Sequence, residues 1–172
     1  MLFRSTFSES EFNFSDVDGD SLDHVSIETL PSNGTLLLDG VAVTEGQDIP
    51  AADISNLVFR PAADANGASY DTFTFSVNDG TTDSASTYTM TVDVTAVNDA
   101  PTAANNTVTT NEDTDHTFTA SEFNFSDVDG DSLDHVSIET LPSNGTLLLD
   151  GVAVTLGQDI PAADISNLVF RP

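Results

Sequence analysis

Residues 71–96 read DTFTFSVNDGTTDSASTYTMTVDVTA. Phe73, Phe75 and Val77 alternate with Thr and Ser, and Tyr88, Met90, Val92, Val94 and Ala96 alternate with Thr or Asp. Side chains two apart lie on the same face of a strand, so each run has one apolar face and one polar face. Between them VNDG (77–80) supplies Asn, Asp and Gly, the residues that form turns most readily. This stretch is therefore an antiparallel strand pair with one side turned to a core. Working upstream, Leu57 and Phe59 share a face, as do Val25 and Ile27. Thr35–Leu38 and Val41–Thr44 flank Asp39-Gly40, a two-residue hairpin signal in which both turn positions need positive φ. Phe12 and Phe14 alternate with polar residues and predict another strand. Ala51–Asn56 predicts one helical turn, with Ile54 and Leu57 pointing inward. Helical periodicity is otherwise weak. The expectation is an all-β fold of about six or seven short antiparallel strands, packed as a sandwich.

Residues 10–61 recur as residues 121–172, with a constant offset of 111 and one difference, Glu45 against Leu156. A period of this length is too long for a solenoid unit and suits one small sandwich domain. The segment VNDAP (97–101) is short, polar and closed by proline, and reads as a linker. The expected organisation is a first repeat over 1–97 lacking its first strand, a linker over 98–104, and a second repeat over 105–172 truncated before its last two strands. Incomplete copies imply a fragment of a longer repetitive protein. The second copy is then expected to be partly disordered or completed by a strand from another chain. The first residues, MLFRSTFSES, have no apolar run and do not read as a secretory signal.

Composition narrows the function. The chain has 29 acidic and three basic residues, Arg4, Arg60 and Arg171, for a net charge of −26. Nucleic-acid binding needs basic residues to replace counterions, and docking on anionic lipid needs them too. No stretch approaches the length of an apolar bilayer span, so membrane insertion is not expected. Cysteine is absent, which excludes disulfides, thiolate metal sites and a cysteine nucleophile. No GxSxG elbow or glycine-rich phosphate loop occurs. His24 and His135 are one repeat position, and with His116 they read as surface or packing residues. The abundance of acids makes any glycosidase-like carboxylate pair uninformative. No enzyme activity is expected.

The acidic residues fall between the apolar runs, where loops belong. Asp16-Val-Asp18-Gly-Asp20 recurs as Asp127-Val-Asp129-Gly-Asp131. Three carboxylates at alternate positions around a glycine suit one hard cation, and calcium takes six to eight oxygens in flexible loops. The spacing matches the first half of an EF-hand loop, but Ser21 stands where that loop needs glycine and Ile27 where it needs glutamate. Left unneutralised, such carboxylates repel by about 1 kcal/mol per pair even in water. Asn98-Asp99 in the linker, Asn111-Glu112-Asp113 after the expected first strand of the second copy, Asn78-Asp79 in the late hairpin, and Asp64 with Asn66 add further clusters at predicted strand ends. Singly, each is an ordinary turn former.

VNDAP (97–101), TNEDT (110–114), DVDGD (16–20 and 127–131), FRPAADANG (59–67) and DTFTFSVNDG (71–80) together give the chain its likeness. It resembles the bacterial cadherin-like tandem repeats, related to VCBS-type repeats, of large RTX-type surface adhesins. The resemblance implies an immunoglobulin/cadherin-like β-sandwich, an extracellular or cell-surface location, and calcium at the junctions between neighbouring repeats. It also implies ligands: Asn98 and Asp99 in the linker, Glu112 as the early glutamate, and Asp16 and Asp18, or Asp127 and Asp129, as the paired acids of the acidic loop. Asp64 and Asn66 stand where an acidic loop precedes the penultimate strand, and Asp79 stands in the late hairpin. The linker is shorter than a cadherin linker, and the DAN sequence lacks a second acid. On this reading the chain is a rigid, calcium-stiffened spacer. The alternative is a carbohydrate-binding or self-associating module. Sugar platforms present exposed aromatics, and only Tyr70 and Tyr88 accompany the phenylalanines.

Overall fold

The computed structural model describes residues 5–172, with the backbone alone for Ser5; Arg4 and the MLFR segment lie outside the described residues. The chain divides into two compact units, Met1–Val97 and Asn98–Pro172.

The first unit contains β1 (Ser5–Thr6), β2 (His24–Thr29), β3 (Gly34–Leu38), β4 (Val41–Ala42), β5 (Gln47–Pro50), β6 (Leu57–Pro61), β7 (Gly67–Asn78) and β8 (Tyr88–Val94). All pairings are antiparallel, and they form two four-stranded sheets, β1-β6-β3-β4 and β5-β2-β7-β8. The sheets face each other across one core. Leu36, Leu57 and Phe59 come from one sheet; Val25, Ile27, Ile49, Phe73, Phe75 and Val92 come from the other. Phe73 meets Phe7 edge-on at 5.7 Å, and Phe75 meets Phe12 edge-on at 4.9 Å. Each fully buried aromatic or aliphatic side chain of this size contributes about 1.5–3 kcal/mol through burial. The all-β sandwich expected from the alternation is the fold observed. Asp39 and Gly40 take φ of 49° and 82°, as the hairpin signal required. Ala51–Asn56 forms a 3-10 turn that buries Ile54 and leads into the buried Leu57.

Two expectations are corrected. Phe12 and Phe14 do not lie on a strand. Glu9–Phe12 is a 3-10 turn, opened by Ser8, whose N–H donates to Glu11 Oε2 at 2.6 Å, and closed by Asn13 at φ 47°. The Ser-x-x-Glu capping pattern was present in the sequence and outweighs the two-residue alternation. The strand placed before Glu112 is also absent. Residues 103–115 form no strand, and regular pairing begins at His116.

The second unit contains β9 (His116–Thr117), β10 (His135–Ser137), β11 (Thr146–Leu149), β12 (Val152–Ala153), β13 (Asp159–Pro161) and β14 (Leu168–Arg171). Its sheets are β12-β11-β14-β9 and β10-β13. Each strand matches one of β1–β6 at the repeat offset, so the first sheet is whole and the second lacks counterparts of β7 and β8. The effect on identical sequence is direct. β2 runs for six residues, but β10 runs for three. Phe12, Leu22 and Val25 are 3%, 6% and 0% exposed, while their twins Phe123, Leu133 and Val136 are only half-buried.

The polar anchor of β7 is Asp71. Its carboxylate is buried and accepts N–H bonds from Asn33 (2.6 Å), Ser32 (3.1 Å) and Thr72 (2.9 Å). Tyr70 Oη donates to the Asn33 carbonyl at 2.7 Å, so the loop 30–33 is tied to β7 twice. Desolvation pushes the Asp71 carboxyl up, but the N–H bonds from Asn33, Ser32 and Thr72 together outweigh it and hold it below its ordinary value. A depressed folded-state pKa gives stability that is present above the unfolded pKa and lost as pH falls through the folded one. Asp71→Ala is expected to cost the first unit about 2 kcal/mol at neutral pH, because three N–H groups lose an anionic acceptor. The penalty should shrink on acidification below the usual carboxylate range; denaturant melts at pH 7 and pH 3 check this.

Candidate cation site

In both units the acidic loop follows the 3-10 turn and precedes the strand that starts at His24 or His135. Its local fold comes from its first aspartate. In the first unit Asp16 Oδ1 accepts the N–H of Asp18 (2.7 Å), Gly19 (2.9 Å) and Asp20 (3.2 Å). In the second, Asp127 Oδ1 accepts the N–H of Asp129 (2.9 Å) and Asp131 (3.1 Å). One oxygen of the first carboxylate therefore shapes the loop, and Gly19 and Gly130, at φ 88° and 83°, let the chain wrap around it. The second oxygen of each first aspartate takes no part in these bonds. Asp16 and Asp127 are half-buried, whereas Asp18, Asp20, Asp129 and Asp131 are exposed. Val17 is fully exposed, so the loop stands out into solvent.

The second unit brings its first residues, expected to be a linker, to this loop. The Asp99 N–H donates to Asp129 Oδ2 at 2.7 Å. Asn98 Nδ2 donates to the Asp99 carbonyl at 2.9 Å, which leaves its side-chain oxygen free of that bond. Thr102 and Ser126 exchange backbone bonds at 2.7 and 2.9 Å and fix the linker against the stretch before Asp127. Asn98, Asp99, Asp127 and Asp131 then line one groove of about 400 Å³. Glu112 is elsewhere. It sits in the turn 110–114, next to Asp115, which holds Arg171 at 2.9 and 3.1 Å beyond the far end of β14 from the acidic loop.

The first unit joins a different pair. Asp16 and Asp79 line one groove of about 750 Å³, together with Asp83. Asp79 Oδ1 accepts the Thr81 hydroxyl and the N–H groups of Thr81 and Thr82, each at 2.7 Å. The hydroxyl of Thr81, then the two N–H groups, hold the Asp79 carboxyl below its ordinary value and so keep it anionic. Asp83 was missed by the sequence reading; its Oδ1 accepts Asn78 Nδ2 at 2.6 Å across the hairpin, and no motif marks it. Asp64 and Asn66 occupy the turn between β6 and β7, with Asp64 at φ 58°. That turn is at the end where Gly34 pairs with Pro61, opposite the His24–Asn78 end that carries Asp16 and Asp79.

The donor set is all oxygen, carboxylate and amide, which suits a hard cation such as calcium and not a soft one. Among the described residues, no three acidic or histidine side chains already converge as a metal-holding group. His135 is held by Asp134 Oδ2 at 2.8 Å, and this bond, then the charge of Asp159, raises its pKa. His116 packs edge-on against Phe118 at 4.9 Å. His116 Nε2 also lies 3.1 Å from Glu122 Oε1.

Paired antiparallel sheets around an apolar core, one core in each unit and repeated at a fixed offset, make this an all-β chain of sandwich-type repeats. Residues 98–167 match the family described as bacterial Ig domain. That segment is thus similar to a bacterial Ig-like repeat, a structural module common in surface proteins. Its residues 121–167 recur in the first unit as residues 10–56 with one difference. No match was found among curated proteins or among solved structures. Among the described residues, no helix is long and apolar enough to cross a membrane.

Proposed function

We propose that the chain is a non-catalytic, calcium-binding spacer from a bacterial surface adhesin, in which bound cations stiffen the connection between successive repeats. The observation that carries this reading is the bond from the Asp99 amide to the Asp129 carboxylate. It draws the linker and the acidic loop into one cluster of oxygen donors, on a chain of net charge −26 with no lysine. Asn98, Asp99, Asp127, Asp129 and Asp131 would hold the ion in the second unit. In the first unit, Asp16, Asp18, Asp20 and Asp79 supply donors at the matching end. Bound calcium supplies charge neutralisation there. The residues themselves position the linker: Asp129 grips its backbone, and the Thr102–Ser126 pair fixes its direction. Without neutralisation the carboxylates repel one another and weaken that grip.

Titration calorimetry tests the assignment. The chain should bind calcium, and Asp127→Asn with Asp129→Asn should abolish the heat from the second unit while leaving that from the first. Loss of neither component would remove the acidic loop from the site.

The glycan alternative has one supporting observation, the half-exposed ring of Tyr88. Tyr70 does not support it, since its ring packs edge-on against Phe59 at 6.2 Å and its hydroxyl is used by Asn33.

A further inference from the structure

We infer that His135 is a proton-operated latch, which on protonation fastens the trailing end of the acidic loop to β13. Three elements build it. Asp134 ends the loop, His135 opens β10, and Asp159 opens β13. His135 Nδ1 lies 2.8 Å from Asp134 Oδ2, and its Nε2 lies 3.8 Å from Asp159 Oδ1.

The local sequence sets this geometry, because it occurs twice. His24 makes the same two contacts, 2.8 Å to Asp23 and 3.8 Å to Asp48. The His24 side chain is 20% exposed and that of His135 44%, yet the distances agree. The surroundings of the two rings differ, so the contacts come from the chain next to them. The ladder between β10 and β13 explains one of them. His135 pairs with Pro161 and Ser137 with Asp159, which makes Asp159 the diagonal neighbour of His135 on one face. The Ser137 hydroxyl donates to Asp159 Oδ1, and the Ala162 N–H donates to the Asp134 carbonyl at 2.8 Å. Both acids are thereby held beside the ring.

The contacts decide which nitrogen takes up the proton. In the neutral ring Nδ1 carries the hydrogen and donates it to Asp134. Nε2 then turns a lone pair toward the Asp159 carboxylate. The second proton enters at Nε2 and converts a repulsive contact into an attractive one. Among the described residues, the charged groups that face the ring are Asp134 from the loop and Asp159 from β13. Pro161, opposite the ring in the ladder, carries no charge. Two acids and no base favour the charged ring, in line with a pKa raised by the Asp134 bond first and by the charge of Asp159 second. A raised folded-state pKa gives stability that is fully present below the unfolded value and lost as pH rises through the folded one. The second unit should therefore be held more firmly in mild acid than in mild base. Neither Asp134 nor Asp159 belongs to the proposed cation donors, so the latch needs no bound ion.

Thermal melts of the full chain in chelator test this. The transition of the second unit should lie about 2–4 °C higher at about pH 6 than at about pH 8, a range in which ordinary carboxylates do not titrate. His135→Gln should lose most of that difference, with the remainder left to His116 beside Glu122. In the same solutions the ring-proton NMR signal of His135 should titrate above the ordinary histidine value. Asp159→Asn keeps an acceptor for Ser137 but removes the charge, and should move that titration back down. The latch is overturned if His135→Gln leaves the pH dependence of the melt unchanged, or if the His135 ring titrates at or below the ordinary value. A titration that Asp159→Asn does not move would overturn it as well, since β13 would then not feel the proton.

Discussion

Phe73→Ala is expected to lower the stability of the first unit by about 3–5 kcal/mol and to leave the second unit unchanged. Phe73 is fully buried in the middle of β7 and packs edge-on against Phe7, the residue that follows β1 of the opposite sheet, at 5.7 Å. Its removal opens a cavity between two sheets that cannot both close on it. A domain of this size has only about 5–15 kcal/mol in total, so one substitution consumes a large share. The second unit is an internal control. It has no counterpart of Phe73, and its twins of Phe12, Leu22 and Val25 are already half-exposed. As the first unit loosens, those three residues should come to resemble Phe123, Leu133 and Val136 in solvent exposure. Hydrogen exchange resolved by residue measures both effects. Equal destabilisation of the two units, or a loss below about 1 kcal/mol, would contradict the role assigned to β7.

The sandwich was legible in the sequence because its strands are half-buried and therefore alternate. Phe73-x-Phe75-x-Val77 and the Asp39-Gly40 turn needed nothing beyond side-chain period and turn geometry. The error at Phe12 and Phe14 arose where two apolar residues fit either period, and the capping pattern of Ser8 and Glu11 decided for a turn. The missing strand before Asn111 has a different cause. Alternation can mark a segment as able to pair, but pairing needs a neighbour. The shortening of β10 relative to β2 makes the same point on identical residues: β7 is what turns Glu28 and Thr29 into strand.

The site was legible in kind and less so in grouping. The DVDGD spacing marked a loop wrapped on its first aspartate, and both copies have it. The Asp99 amide bonds the Asp129 carboxylate, an approach that depends on how residues 98–102 lie against the loop. The separation of Glu112 from Asp129, and of Asp64 from Asp16, could not be read, because it depends on which end of each strand a loop occupies. Asp83 carried no motif and was found only through its bond to Asn78.

Calcium is expected to raise the melting temperature of the chain substantially. An ion at about one hundred times its dissociation constant adds roughly 2.7 kcal/mol per site, provided it binds only the folded state. For units of this length that corresponds to about 10–20 °C. The gain comes from two sources on the same residues. Repulsion among Asp127, Asp129, Asp131 and Asp99 is removed, and the linker they hold is fixed. Sodium at equal ionic strength screens the exposed carboxylates but does not bridge them, so it should give only a small part of the shift.

The most direct test of a calcium-stiffened spacer is therefore a thermal melt of the full chain in calcium, in chelator, and in sodium chloride matched for ionic strength. The account predicts a large upward shift in calcium alone, lost in Asp127→Asn with Asp129→Asn for the transition of the second unit. Identical melts in all three solutions would contradict it and leave the acidic loops as solvated turns.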